Sequence, residues 1–475
     1  MIQILEDGAV YVLVPLVYLL GVAAAVHALF HVRTPQGSVA WALALGLVPW
    51  IALPAYLVFG RRHISLYVRA LRRARLLTED ERTELSAPVR ALLDRHTVAA
   101  ATEEPLRRLA GTPIVTGHRA RLLVDGEATY DALLDRIGAA ERRVHFQFFT
   151  IHSDEVGERF GRALTHAAER GVEVRVLYDE VGSRGLSGAW VAGLRRAGAE
   201  VSSFGRRGQS WGRSYVNFRN HRKLVVVDGR VAFVGGHNVG DEYLGRSPAL
   251  RPWRDTHLEL EGPSVVELEL VFAQDWFFAR GELLDLPVAA TAAGSVEALP
   301  LPTGPFGPHP SCELVAGWLV ERARRRLWWA TPYFVPTPGI VLALRLAALR
   351  GVDVRILLPR QSDHLLSTLA AFAALHELAD SPIRFFRRRE GFSHQKVVLV
   401  DDDLATVGSA NLDSRSLLLN LELGVLLRGG TIVEDVERML RRDLEASVEV
   451  TDEYARLPLH VRFGARIART FAPVL

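Results

Sequence analysis

The chain has 475 residues, 49% of them hydrophobic, with a mean hydropathy of +0.12, enough for two or three domains together with membrane spans. Its 57 basic and 54 acidic residues leave a net charge of only +3, so any basic partner surface is local. The one cysteine, Cys312, excludes an intramolecular disulfide and any cysteine-cluster metal site.

Two apolar runs come first. Ala9 to Phe30 has no Asp, Glu, Lys or Arg and His27 as its one histidine, and Val39 to Phe59 carries no charge. About 20 apolar residues cross a bilayer as a helix. Residues 1–60 are therefore expected to form a transmembrane helical hairpin, with spans at about 9–30 and 39–59. A signal peptide is disfavoured, because Glu6 and Asp7 rather than basic residues precede the first run. Pro49 and Pro54 predict kinks in the second run, or a re-entrant segment. Arg61, Arg62, Arg69, Arg72, Arg73 and Arg75 follow, whereas the connector between the runs holds Arg33 alone. The positive-inside rule then predicts a multi-pass protein of the cell membrane with its C-terminal body in the cytoplasm. The arginine cluster also suits anionic headgroups. Residues 61–110 read as a basic juxtamembrane connector.

The remaining chain repeats itself. Arg143-Val-His-Phe-Gln-Phe-Phe-Thr150 reads as a strand, followed by a helical segment and by Arg170-Gly171 before an alternating β-rich stretch. Arg326-Leu-Trp-Trp-Ala-Thr331 is followed in the same way by Arg350-Gly351, 180 residues further on. A helix ending in Arg-Gly and then a strand is a β-α-β signal. Two duplicated α/β halves, 111–286 and 311–475, are expected to pack face to face. The Ala-, Pro- and Gly-rich stretch 287–310 is the expected linker. The segment Gly205 to Tyr215 mixes arginines with aromatics and suits lipid headgroups or a nucleic-acid backbone. The tail from Val461 to Leu475 is basic and amphipathic, and lies on a membrane or on the body.

Each half contains one copy of a motif. His221, Lys223, Asp228, Gly235 and Asn238 recur, at the same spacing, as His394, Lys396, Asp401, Gly408 and Asn411. Histidine and lysine two apart on an extended chain share a face, and the aliphatic run after them suits a strand buried on both sides. Asp228-Gly229 and Asp401-Asp402-Asp403 read as turns that return a second strand carrying the asparagine. These are the only two lysines among the 57 basic residues, and both follow a histidine by two. A chain that uses arginine everywhere else keeps a compact, rotatable ammonium donor at these two positions.

The paired motif resembles that of the phospholipase D superfamily. The text around it, Gly235-Gly-His-Asn-Val-Gly-Asp-Glu-Tyr243, Gly408-Ser-Ala-Asn-Leu-Asp-Ser-Arg-Ser416, Thr331-Pro-Tyr-Phe-Val-Pro336 and Arg254-Asp255-Thr256, is similar to bacterial cardiolipin synthases. The resemblance implies that the motifs pool into one site for displacement at phosphorus, without cofactor or metal. His221 would attack to give a phosphohistidine, and His394 would protonate the leaving alkoxide. These roles require opposite protonation states, so the two imidazole pKa values are expected to be pushed apart. Lys223, Lys396, Asn238 and Asn411, with Ser409 in support, would hold the phosphate oxygens. Asp255, 34 residues after His221, and Glu422, 28 after His394, match the family's acidic position and would orient the imidazoles. Asp228 and Asp401, at the turns, read as supports of hairpin geometry.

The expected activity is phosphatidyl transfer from one phosphatidylglycerol to another at a bilayer, giving cardiolipin and glycerol. A phospholipase D-type hydrolase is the alternative. A nucleic-acid phosphodiesterase rests on the Gly205–Tyr215 segment alone, and no nucleic-acid partner is expected. Composition and motifs leave the oligomeric state open.

Overall fold

The structure, a computed structural model, describes residues 2–32, 35–60, 67, 79–98, 103–205, 218–248, 250–305, 310–360, 362–451 and 453–470. The arginine cluster at Arg61, Arg62, Arg69, Arg72, Arg73 and Arg75, and nearly all of the basic-aromatic segment up to Tyr215, lie outside the described residues. The chain divides into two compact units, one of residues 1–70 with 207–218, the other of 71–206 with 219–475.

The first unit is helical. Helix α1 (Ile2–His31) contains the stretch Tyr11–His31, of mean hydropathy 2.3, long and apolar enough to cross a membrane. Among the described residues it is the one helix that is. The second apolar run, expected as a single span, is instead two helices, α2 (Pro35–Leu47) and α3 (Pro49–Ala55). The break falls at Val48, whose φ of −134° and ψ of 55° lie outside the helical region just before Pro49 in the first turn of α3. A residue before proline is steered away from the helical region, and proline has no N–H to continue the ladder. Ala28, Leu45, Ala52 and Tyr56 pack between the helices, and His27 Nδ1 lies 2.7 Å from Tyr56 Oη.

The second unit is an α/β body with two matching halves. The first contains β1 (Val115–Val124), β2 (Arg143–Phe148), helix α4 (Glu155–Glu169), β3 (Glu173–Asp179) and β4 (Glu200–Phe204). It continues with β5 (Leu224–Val227), β6 (Val231–Gly235), β7 (Trp253–Arg254), β8 (Thr256–Glu261) and helix α5 (Val265–Arg280). The second begins at β9 (Val296–Thr303), then β10 (Arg326–Ala330), β11 (Phe334–Val335), helix α6 (Pro338–Leu349) and β12 (Asp353–Leu358). Helix α7 (Leu365–Glu377), β13 (Arg384–Arg388), β14 (Phe392–Ser393), β15 (Val397–Val400) and β16 (Leu404–Gly408) follow. The half ends with β17 (Leu412–Asp413), β18 (Glu422–Arg428), helix α8 (Thr431–Glu445), β19 (Ser447–Val450) and helix α9 (Leu459–Thr470).

Both β-α-β crossovers have the same local grammar. The Asp154 carboxylate accepts from Gly157 N to start α4, and the Thr337 hydroxyl accepts from Ile340 N to start α6. Each helix ends at an arginine followed by a glycine with positive φ, 88° at Gly171 and 86° at Gly351. The strands either side of each crossover run parallel, β2 with β3 and β10 with β12.

The halves join edge to edge. Strand β9 pairs antiparallel with β1 and with β18, making one 15-stranded sheet. Strands β6 and β8 also lie against β16 and β18, so the halves share a sheet edge and face each other. Residues 287–310, expected as a linker, thus contain a strand of the second half's sheet. Pro300 and Pro302 made this stretch read as a loop, since proline cannot donate to a ladder. Here they stand opposite Val425 and Leu423 of β18.

Candidate active site

Each copy of the sequence motif occupies a β-hairpin and the short extended segment before it. In the first, β5 and β6 are joined by Asp228, in the left-handed region at φ 55°. Its carboxylate accepts hydrogen bonds from the backbone N–H groups of Glu141, Arg142 and Arg143, at 3.0, 2.8 and 3.0 Å. In the second, Asp401 has φ 51° and accepts from Arg324, Arg325 and Arg326. Both aspartates therefore fasten a hairpin turn to the start of the neighbouring strand, β2 or β10. Asparagine and aspartate tolerate the left-handed conformation better than other side chains, which suits the residue type to the turn. Among the described residues neither carboxylate is hydrogen-bonded to an imidazole.

The segments ahead of the histidines are held by the opposite half. His221 N donates to Leu421 O at 2.9 Å, and Leu421 N donates to Arg219 O at 2.9 Å. His394 N donates to Arg254 O at 2.7 Å, extending the parallel β14–β7 pair. Each histidine is thereby set beside the acid of the other half. His221 Nδ1 lies 2.9 Å from Glu422 Oε2, and His394 Nδ1 lies 2.7 Å from Asp255 Oδ2. Sequence order had placed each acid after the histidine of its own half, so the pairing is crossed.

Both acids are fully buried and further fixed. Ser409 Oγ donates to Glu422 Oε2 at 2.5 Å, and Asn420 Nδ2 donates to its Oε1 at 3.2 Å. Asp255 Oδ1 accepts from Thr256 N at 2.8 Å. A Cβ at Gly236 would overlap the Asp255 carboxylate, so only glycine fits there. With Nδ1 held by a carboxylate, each ring has Nε2 left for chemistry.

Lys223 Nζ donates to His221 O at 2.7 Å, and Lys396 Nζ donates in the same way to His394 O. Both ammonium groups act electrostatically on both imidazoles, which brings the two motifs into one site. Burial lowers Lys223 to about 7 and Lys396 to about 8, with neighbouring carboxylates opposing it. Burial also pushes His221 down to about 4 and His394 well below its usual value. The imidazoles were expected to diverge, yet both move the same way. Desolvation, with the two neighbouring ammonium groups, outweighs the carboxylates and favours the neutral form of both rings in the free site. Burial works to raise Glu422, but His221 and Lys223 outweigh it and hold the carboxyl below its usual value.

The two asparagines are not equivalent. Asn238 accepts from Thr150 N at 3.1 Å and donates to Tyr243 Oη at 2.8 Å, which leaves one amide hydrogen for a ligand. Asn411 is buried beside Asp413, whose carboxyl burial raises to about 6. Aromatic rings wall the site. Phe149 stands 5.0 Å from the His221 ring, and Trp253 5.2 Å from that of His394. Among the described residues no three His, Cys, Asp or Glu side chains group so as to hold a metal ion.

Sequence reasoning missed a second layer. The residue between histidine and lysine is Arg222 in one motif and Gln395 in the other. Arg222 Nη1 donates to both carboxylate oxygens of Asp275 of α5, at 2.9 and 3.0 Å, and its Nε donates to Glu422 O at 3.2 Å. Gln395 donates to Asp443 of α8 at 3.1 Å, and Asp443 also holds the Arg254 guanidinium through two bonds of 2.9 Å. Each helix aspartate thus ties its own motif to the strand that carries an orienting acid. A signal was present, because Asp275 follows Asp255 by 20 residues and Asp443 follows Glu422 by 21.

The comparisons with known proteins point the same way as this geometry. A family model described as "Cardiolipin synthase, PLD-like domain" matches residues 133–276 and 319–444, covering both motifs. The chain belongs to the cardiolipin synthase family of phospholipase D-like enzymes. A second model, "Phospholipase_D-nuclease N-terminal", matches residues 19–61. Cardiolipin synthase A of Pseudomonas entomophila (strain L48) is 42% identical over 468 residues, 98% of each chain. Cardiolipin synthase A of Pseudomonas putida (strain W619) is 43% identical over 466 residues, 97% of each chain. Among solved structures, phosphatidylserine synthase of Haemophilus influenzae Rd KW20 is similar, with a TM-score of 0.60 and 16% identity. That match covers 79% of this chain and 100% of the other. Polyphosphate kinase from Porphyromonas gingivalis gives a TM-score of 0.51 at 14% identity, covering 74% of this chain and 52% of the other. At those identities the likeness is one of fold.

Proposed function

We propose that this family member transfers a phosphatidyl group from one phosphatidylglycerol to the hydroxyl of a second, giving cardiolipin and glycerol. The observation that carries the mechanism is the crossed pair of buried acid–imidazole contacts, with two lysines acting on both rings. His221 Nε2 attacks phosphorus while Glu422 holds its Nδ1 hydrogen, and the bond to the glycerol oxygen breaks. His394 Nε2 supplies the proton to that oxygen. A bound phosphodiester brings a negative charge that draws the lowered imidazole and ammonium values up, so substrate itself favours the acid form required. Lys223, Lys396, Asn238 and Asn411 hold the non-bridging oxygens as charge builds. Asp228 and Asp401 keep the hairpins in place and move no proton. In the second step His394 takes the proton from the acceptor hydroxyl, whose oxygen displaces His221 from phosphorus.

We also propose that helices α2 and α3 together supply a second crossing despite their break, with the α/β body on the cytoplasmic side. Their apolar composition, the family match over residues 19–61 and the arginines beyond Gly60 support it.

The test uses phosphatidylglycerol labelled in its acyl chains. The His394→Ala enzyme is expected to form a labelled phosphatidyl-enzyme slowly and to accumulate it on the His221 peptide, whereas His221→Ala forms none. Label on the His394 peptide in the His221→Ala enzyme reverses the two roles. No adduct in either variant, with inversion at phosphorus in the wild type, rules out the covalent route.

A further inference from the structure

The exposed surface of α9 and the segment beside it has a pattern that the catalytic chemistry does not use. Ala465 and Ala468 are buried, and Ala468 packs with Leu369 and Ala370 of α7 and with Val335. On the outward side Leu459, Phe463 and Ile467, four residues apart, are 81%, 68% and 45% exposed. That spacing puts all three on one stripe of the helix. Arg462 and Arg466 border the stripe, and no residue from Leu459 to Thr470 is acidic. Arg462 Nε donates to Leu457 O at 2.8 Å and Arg466 Nε to Tyr454 Oη at 3.0 Å, uncharged partners that leave the positive charge at the surface. Arg469 at the end of the helix is paired with Glu377.

The supporting helix connects this stripe to the active site. Leu365 and Leu366, in the first turn of α7, are 74% and 53% exposed. Two residues before Leu365, Asp363 accepts from Tyr333 Oη at 2.7 Å, and its charge is felt by both His394 and Lys396. The start of α7 thus lies within electrostatic reach of the catalytic side chains, and α9 packs along the same helix.

We propose that α9 and the first turn of α7 form a surface by which the catalytic body rests on an anionic lipid bilayer, with the site mouth turned to the headgroups. A stripe of large apolar residues bordered by arginines is the pattern of helices that lie in the plane of a membrane interface. Charge argues against a second copy of the chain as occupant. A two-fold contact through α9 would set arginine against arginine, and one through Leu365 and Leu366 would cover the mouth. A surface of anionic headgroups complements the arginines and delivers substrate at the rim. The inference rests on the proposed lipid reaction for its effect on turnover only.

Two measurements on the full chain in nanodiscs containing phosphatidylglycerol test it. Cys312 is buried and its thiol is pushed up by burial, so an added surface cysteine is labelled selectively. An environment-sensitive fluorophore at Phe463→Cys is expected to shift to the blue in nanodiscs relative to the same label at Glu158→Cys, an exposed site on α4. Equal emission at both sites overturns the proposal. A blue shift that appears without lipid and grows with protein concentration overturns it in favour of a second copy. The double variant Phe463→Ser, Ile467→Ser should lose roughly tenfold in turnover of bilayer phosphatidylglycerol, since interfacial binding scales with the apolar area inserted. It should keep turnover of a short-chain, monomeric phosphatidylglycerol. Equal loss on both substrates, or on neither, removes the surface from function. A wild type inactive on both lipids defeats the proposed reaction, and the fluorescence still decides the docking.

Discussion

Lys223 and Lys396 are buried, each bonds the carbonyl of the histidine two residues before it, and burial lowers their ammonium groups to about 7 and about 8. Their charged form is present below those values and is lost as pH rises through them. The rate constant kcat/KM, which reports the free enzyme, is therefore expected to decline as pH rises through about 7 to 8. The corresponding limb of kcat should lie higher, because bound phosphodiester favours the ammonium. A kcat/KM profile flat to pH 9.5 or so would show that the lysines stay charged in the free site. Lys223→Arg and Lys396→Arg should each lower kcat by about 10²-fold or more. A guanidinium is planar and wider, and it cannot both reach the adjacent carbonyl and follow a phosphoryl group through its change of shape. Steady-state rates of the two variants at one pH decide this. The lysines were legible in the sequence because the rest of the chain avoids that residue type. The direction of the imidazole shifts was not, since it depends on how deeply the folded chain buries each ring.

At the scale of elements, the turn aspartates are structural in geometry and strategic in position. Removing the Asp228 carboxylate strips acceptors from three backbone N–H groups at the entry to β2. Hydrogen bonds to a charged acceptor are worth more than neutral ones, so Asp228→Ala should destabilise the body by about 2–3 kcal/mol. Asp228→Asn, which keeps an acceptor and tolerates positive φ, should cost less. Denaturation midpoints measure the ranking, and near-normal turnover per folded molecule is expected of both variants. A loss of chemistry with stability unchanged would instead make Asp228 a participant in proton transfer. The hairpins, both Arg-Gly helix ends and the duplication could be read directly, because they rest on local backbone preferences. Strand β9 could not, because its two prolines argue against a central strand until the partner strands are known. The break at Val48 shows the opposite case, where Pro49 had advertised the kink.

At the scale of the whole molecule, what matters is that neither half completes its own site. The acid that follows each motif in sequence orients the histidine of the other half, and this follows from the parallel contacts of Leu421 with His221 and of Arg254 with His394. Periodicity and spacing cannot reveal such a pairing, since the partners are separated by 201 residues in one case and 139 in the other. It has a chemical consequence that can be read from the intermediate. An acid that orients a ring should, when neutralised, reproduce the defect of losing that ring. Glu422→Gln should therefore behave like His221→Ala, forming little adduct. Asp255→Asn should behave like His394→Ala, forming the phosphatidyl-enzyme slowly and failing to resolve it. Each should lose about 10²–10⁴-fold in overall turnover, as when the carboxylate of a histidine–acid pair is made an amide. Quenching both variants after incubation with acyl-labelled phosphatidylglycerol and counting protein-bound label distinguishes them. If Asp255→Asn abolished the adduct and Glu422→Gln accumulated it, either the nucleophile would be His394 or each acid would serve its own half. The position of the label on the His221 or the His394 peptide separates those two outcomes.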